Sequence, residues 1–242
     1  MRRVITEVCT DNINSALAAD RAGADRIELC QALSEGGLTP SPALIRYCCE
    51  NLKPGVMVLI RPRGGDFLYN EVEFDLIKRD VLYCKESGAG GVVVGFLDKD
   101  GNVDKQKLKE IVDLAGGMEV VFHRAFDRCS EWRVALEDII ESGCCRILTS
   151  GLHDTAYEGR FLLKEIIESA GDRIAILVGS GVVPGNINDI YNVTGFREVH
   201  FSAKHEAVSG MRYIRETIKP IRGQIESSDK EIAQIMDICA TL

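Results

Sequence analysis

The sequence predicts an α/β protein, a (β/α)8 barrel formed as a single domain with an extra C-terminal helix. Apolar, β-branched runs alternate with helical patterns eight times, which favours parallel strands joined by helices. Eight such units in about 220 residues suit a TIM-like barrel. A partial repeat supports it further: a helix end, a glycine and then a strand recur at Gly23, Gly88, Gly143 and Gly195, ahead of the even-numbered strands only. A doubly wound sheet is the rival, weakened because no G-x-G-x-x-G follows the first strand. A chain of 242 residues with 45% hydrophobic and 27% charged content can bury a core of this size, so one domain spanning 1–242 is expected.

The strands are expected at Val4 to Cys9, Arg26 to Cys30, Val56 to Arg61, Gly91 to Phe96, Glu119 to His123, Arg146 to Thr149, Ala175 to Gly179 and Glu198 to Ser202. Helices fill the gaps. The first should start at Thr10 or Asp11, both good N-caps, and end at Gly23, where a left-handed residue costs little. The barrel should run from about 3 to 222. In the tail, Ser228 with Glu231 has the spacing of a capping box, and Ile232, Ile235, Met236 and Cys239 repeat at helical spacing. An amphipathic helix over about 228–241 follows, packed on its own barrel or lying at a subunit interface.

Five residues past the repeated glycines lie Glu28, Val93, Leu148 and His200; seven past lie Cys30, Gly95, Ser150 and Ser202. An interior layer of such a barrel takes its side chains from alternate strands, so these sets read as successive layers, the second at the catalytic mouth. The plainer reading is that glycine simply terminates helices there. His200, in the lower of the two layers, reads as a structural histidine.

Charge and composition exclude some functions. A net charge of -8 and a pI near 5.2, with no run of five Lys or Arg, argue against binding nucleic acid or an anionic membrane. No stretch of roughly 18 apolar residues is present, and Arg2, Arg3 and Val4 open no apolar leader, so a soluble cytoplasmic protein is expected. Nine cysteines without a C-x-x-C spacing argue against a disulfide framework or a structural zinc site. The doublets Cys48/Cys49 and Cys144/Cys145 read as packing residues.

The candidate site starts from a duplication. Glu7-Val8-Cys9 recurs 21 residues later as Glu28-Leu29-Cys30, and residues two apart on a strand share a face, so two carboxylates and two thiols can converge. Polar loops surround them. Arg61 and Arg63 are placed to fork onto one carboxylate or phosphate, or to neutralise Glu7, Glu28 or Asp127. Arg124 follows His123, and the loops carrying Ser150, Gly179, Gly181 and Ser202 resemble late-loop phosphate sites of barrels. His123 reads either as a satisfied structural histidine or as an acid–base group, its proton affinity lying near working pH, with Asp127 or Glu28 to orient it. Two thiols suit Cu(I), whereas Glu7 and Glu28 suit Mg²⁺, Mn²⁺ or general-base work. A third reading is that Cys9 and Cys30 merely fill the barrel.

Longer strings carry a resemblance. Glu28-Leu29-Cys30 through Ser34-Glu35-Gly36-Gly37-Leu38-Thr39-Pro40-Ser41, Ile60-Arg61-Pro62-Arg63-Gly64-Gly65-Asp66-Phe67, Phe122-His123-Arg124-Ala125-Phe126-Asp127 and Leu148-Thr149-Ser150-Gly151 resemble the CutC family over nearly the whole chain. The resemblance implies a cytosolic TIM-like barrel that forms homo-oligomers, a dimer or tetramer, and is named for copper homeostasis. It also implies Cys9 and Cys30 as Cu(I) ligands. The expected function is cytosolic copper binding. The alternative is an enzyme acting on a small anionic substrate, phosphorylated or carboxylated: Arg61 and Arg63 hold the anion, Glu7 or Glu28 acts as base, and His123 with Asp127 moves protons.

Overall fold

The computed structural model describes residues 3–213, 215, 217 and 224–242. Eight parallel strands close a barrel in sequence order: β1 (Ile5–Thr10), β2 (Arg26–Leu29), β3 (Gly55–Leu59), β4 (Gly91–Val94), β5 (Glu119–Phe122), β6 (Arg146–Thr149), β7 (Ala175–Val178) and β8 (Glu198–Phe201). The helices α1 (Ile13–Ala22), α2 (Pro42–Asn51), α3 (Glu71–Glu86), α4 (Lys105–Ala115), α5 (Trp132–Ser142), α6 (Arg160–Ala170) and α7 (Ile187–Thr194) ring it. The (β/α)8 barrel expected from the alternation is present.

The strand boundaries shift by a residue or two from expectation, most at the C-terminal ends of β3 and β4. There the chain leaves the ladder early to place Arg61 and Phe96 in the loops. Thr10 is absorbed into β1 instead of capping α1, and Asn12 takes the cap: its side chain accepts from the Ser15 amide at 3.0 Å. The repeated glycines close helices as read, with Gly23, Gly88, Gly143 and Gly195 all in the left-handed region.

After β8 the sequence holds a feature that periodicity did not signal, a two-stranded antiparallel ribbon of β9 (Lys204–Glu206) and β10 (Ile225–Ser227). It is tied to the start of α1 through Asn12 on the Ile225 carbonyl and Ser15 on the Ser227 amide. The expected end of the barrel at 222 lies outside the described residues. The C-terminal helix α8 (Asp229–Cys239) starts on Ser228, whose hydroxyl accepts from the Glu231 amide. It buries Ile232, Ile235 and Cys239 and lies between α7 and α1, with Tyr191 donating to the Leu242 carbonyl and Arg21 pairing with Asp229.

Two apolar regions result. The larger fills the space between strands and helices, and a smaller one of Cys9, Cys30, Met57, Leu59, Val93 and Val121 lies inside the barrel. The register sets what sits beside what in that interior: Cys9 lies opposite Glu28 across β1 and β2, and Glu7 opposite His200 across β1 and β8.

Candidate functional site

Charge stacks upward along the barrel axis. At the floor, Arg26 bonds Glu7 at 2.9 Å and also Glu198; Arg146 bonds Glu198 at 2.6 Å and Glu119 at 2.8 Å. Arg26, Glu119, Arg146 and Glu198 open β2, β5, β6 and β8, and Glu7 is the third residue of β1. Glu7 was signalled by the duplication; for Arg26, Glu119, Arg146 and Glu198 the signal is a charge at the start of each apolar run. Replacing one partner here would leave a buried charge uncompensated, which costs more than the intact pair contributes.

One layer up, His200 joins the two duplicated carboxylates. Its Nδ1 lies 2.9 Å from Glu7 and its Nε2 lies 3.8 Å from Glu28. Burial alone would raise the Glu7 pKa, but contacts with His200 and Arg26 bring it down to about 2. Glu28 lacks an arginine, and burial pushes its carboxyl upward. His200 is raised well above its ordinary value: burial opposes the charge, and Glu28, Cys9 and Glu7 together outweigh that opposition. The histidine read as structural is therefore the hinge of the column. Its signal was its shared register with Glu28.

Above it the thiols of Cys9 and Cys30 stand 3.9 Å apart, both buried. Ligand atoms of Cys9, Glu28 and His200 all lie within 4.8 Å of one another, so a soft donor pair adjoins a nitrogen and an oxygen donor. Two metal–sulfur bonds of the length made by zinc, laid end to end, need about 4.6 Å. The 3.9 Å separation instead suits an ion off the sulfur–sulfur line with a third donor beside it. The contact with Cys30, together with burial, raises the Cys9 thiol well above its ordinary pKa, so a metal taking this position must displace its proton.

The column opens into a cavity of about 750 Å³ at the C-terminal mouth, reached by Cys9, Glu28, Cys30, Arg61, His123 and Arg124 among others. His123 is fixed by its backbone: Nδ1 accepts from the Ala125 amide at 3.1 Å, so the ring proton sits on Nε2. Burial, then the nearby Arg61 charge, lowers its pKa to about 3. That direction favours the neutral ring, with Nε2 as a donor, and disfavours proton carrying near neutral pH. Neither Asp127 nor Glu28 orients it.

Asp127 has a different task. It accepts from Thr149 at 2.5 Å, from the amides of Ser150 and Leu152 and from the Ser150 hydroxyl, and it pairs with Arg124 at 2.7 Å. Asp127 thereby occupies the Ser150 and Leu152 amides of the β6 loop, donors that an anion there would otherwise use. Ser150, Gly179, Gly181 and Ser202 stand outside the cavity lining. Gly179 is needed for packing, since a Cβ there would lie 2.6 Å from the Leu148 side chain.

Arg61 and Arg63 diverge. Arg61 is buried with its guanidinium on the carbonyls of Glu35, Gly37 and Gly65, whereas Arg63 turns to Glu73 at 2.6 Å and to Asp66 and stacks on Tyr69. Both lie past the end of β3 at Leu59, where the alternation of faces no longer holds, so spacing alone misjudged the pair. Glu7, locked beneath His200, does not reach the cavity either.

A family model of the CutC family matches residues 4–205. The chain belongs to the CutC family. It is 45% identical over 211 residues to the family protein CutC of Chromobacterium violaceum, covering 87% of this chain and 85% of that one. It is also 41% identical over 214 residues to the human copper homeostasis protein cutC homolog, covering 88% and 78%. The solved CutC of Streptococcus agalactiae superposes with a TM-score of 0.78 at 31% identity, covering 82% of this chain and 98% of that one. An aldolase, QR15, matches with a TM-score of 0.61 at 17% identity over 83% and 90%, a likeness of fold alone. Among the described residues no helix is long and apolar enough to cross a membrane.

Proposed function

We propose that this CutC family member binds Cu(I) as its part in copper homeostasis, holding the ion at Cys9 and Cys30 with His200 as third donor. The observation that carries this reading is the pair of buried thiols at 3.9 Å beside the imidazole and Glu28. Soft sulfur selects Cu(I) over hard divalent ions, and the third donor matches the off-line position. All nine cysteines are free thiols, which favours the reducing cytoplasm as the place of action. Exposed Val72 and Leu76 on α3 favour self-association into a dimer or tetramer.

The test is an anaerobic Cu(I) titration against a competing chelator, comparing wild type with the Cys9→Ser, Cys30→Ser double variant and with Glu28→Gln. One tightly held ion, lost in the double variant and retained in Glu28→Gln, is the expected result. Equal affinity in wild type and the double variant would overturn it.

A second reading is supported by the cavity. A volume of about 750 Å³ is far more than an ion needs, and it is polar where it meets Arg61 and His123. That suits an enzyme acting on a small anionic substrate, with Glu28 as the titratable group facing it.

A further inference from the structure

We infer that Glu7 is the positioning residue of the copper site: its carboxylate holds the Nδ1 proton of His200 and so presents Nε2 to the ion. The inference rests on the Cu(I) reading above and adds to it the residue that fixes the third donor.

The placement begins in the register. Glu7 of β1 stands opposite Arg26 of β2 on one side and opposite His200 of β8 on the other, so the three form one row across adjacent strands. Its two oxygens divide between these neighbours. Oε2 accepts from Nε of Arg26 at 2.9 Å, and Oε1 meets Nδ1 of His200 at 2.9 Å. An ionised carboxylate only accepts, so the proton in the second contact belongs to Nδ1. Arg26, bound also to Glu198, keeps the carboxylate from turning. Glu7 is 1% exposed, so water does not compete for either oxygen.

With Nδ1 engaged, Nε2 is the ring nitrogen left for a ligand, and it faces the next layer. It lies 3.8 Å from Glu28, which stands opposite Cys9. Any proton on Nε2 must leave when an ion arrives, as the thiol proton of Cys9 must; the proton on Nδ1 stays with Glu7. A carboxylate behind a coordinating imidazole sets its tautomer, fixes the plane of the ring and makes the exposed nitrogen a stronger donor.

Glu28 does not fill this role, although it belongs to the same Glu-x-Cys duplication. At 3.8 Å it is beyond hydrogen-bond reach of the ring, and it sits in the layer of Cys9, on the side where the ion would lie. The two copies of the pattern therefore supply carboxylates of different duty, because the register sets Glu28 beside Cys9 and Glu7 beneath it.

The test joins an anaerobic Cu(I) titration against a competing chelator to nitrogen spectra of the full chain with labelled histidine. Cu(I) is diamagnetic, so the resonances survive loading. In the loaded wild type, His200 should keep its Nδ1 proton and show a displaced Nε2 signal. Glu7→Gln should weaken Cu(I) binding about tenfold to a hundredfold, with one ion still bound at saturation. Glu198→Gln takes a carboxylate from the same arginine without touching His200 and should bind Cu(I) as wild type does, which separates positioning from cohesion of the floor. If Glu7→Gln fails to fold, the wild-type spectrum decides. The inference is overturned by undiminished affinity in Glu7→Gln, by equal losses in the two variants, or by a His200 ring that coordinates through Nδ1 or does not respond to Cu(I). Where Cys9→Ser, Cys30→Ser loses the ion and Glu7→Gln holds it as tightly as wild type, this inference falls and the Cu(I) reading stands; where wild type binds no Cu(I), both fall.

Discussion

Acid should reverse the stability order of wild type and His123→Phe. The ring of His123 is buried and neutral, with its pKa brought down from 6.5 to about 3. Above pH 6.5 neither the folded nor the unfolded chain protonates this residue, and its full contribution is present. As pH falls through 6.5 toward 3, only the unfolded chain takes up the proton, so stability drains away. At pH 5 the loss works out at about 2 kcal/mol, from 1.36 kcal/mol for each pH step below 6.5. Phenylalanine keeps the ring against Phe67 and Phe122 and removes the titration. It also removes the acceptor for the Ala125 amide, a capping loss of about 1 kcal/mol. The variant should therefore be less stable than wild type by about 1 kcal/mol at pH 7.5 and more stable by about the same amount at pH 5. Urea denaturation at the two pH values measures both differences. Parallel curves, with the same gap at each pH, would refute the claim that this imidazole is buried in its neutral form.

Three further outcomes follow from contacts already described. Gly95→Ala should cost about 1–3 kcal/mol by overpacking, because its Cβ would overlap the His123 ring and lie 2.8 Å from the Ala125 Cβ; an unchanged melting temperature would mean that the ring gives way freely. Arg146→Leu removes one of the two arginines on Glu198 and should cost about 3–5 kcal/mol; denaturant midpoints at constant slope would measure it, and a neutral result would show the floor network to be redundant. Asp127→Asn weakens acceptance from Thr149, Ser150, Leu152 and Arg124 at once and should cost at least about 1.5–3 kcal/mol. Amide hydrogen exchange should then quicken first at Ser150 and Leu152, and uniform exchange across the barrel would contradict the local role.

The fold was legible because barrel strands are buried on both faces and read as apolar runs, while the glycine that ends each preceding helix marks the start of the even strands. The convergence of Glu28 with His200 was equally readable, since position 5 after a repeated glycine fixes the facing direction. Side-chain destinations were not. Arg61 and Arg63 have the same spacing as Glu7 and Cys9, but they lie past the end of β3, where the period of two no longer holds. Asp127 looked like a partner for His123 because it is near in sequence; a 3₁₀ turn at Arg124–Arg128 carries it to the β6 loop instead. The β9–β10 ribbon escaped because it is short, exposed and polar, with no hydrophobic period to announce it.

The axial column of Arg26, Glu7, His200 and Glu28 makes the barrel interior a conductor of electrostatic change where most barrels have an inert plug. A charge added or removed at the thiols alters what His200 donates, which alters how Glu7 shares Arg26, and so reaches the floor through contacts of 2.9 to 3.8 Å. Substitutions at opposite ends of this axis should therefore not add independently, despite the distance between them. Occupancy at the mouth and cohesion at the base become two readings of one equilibrium.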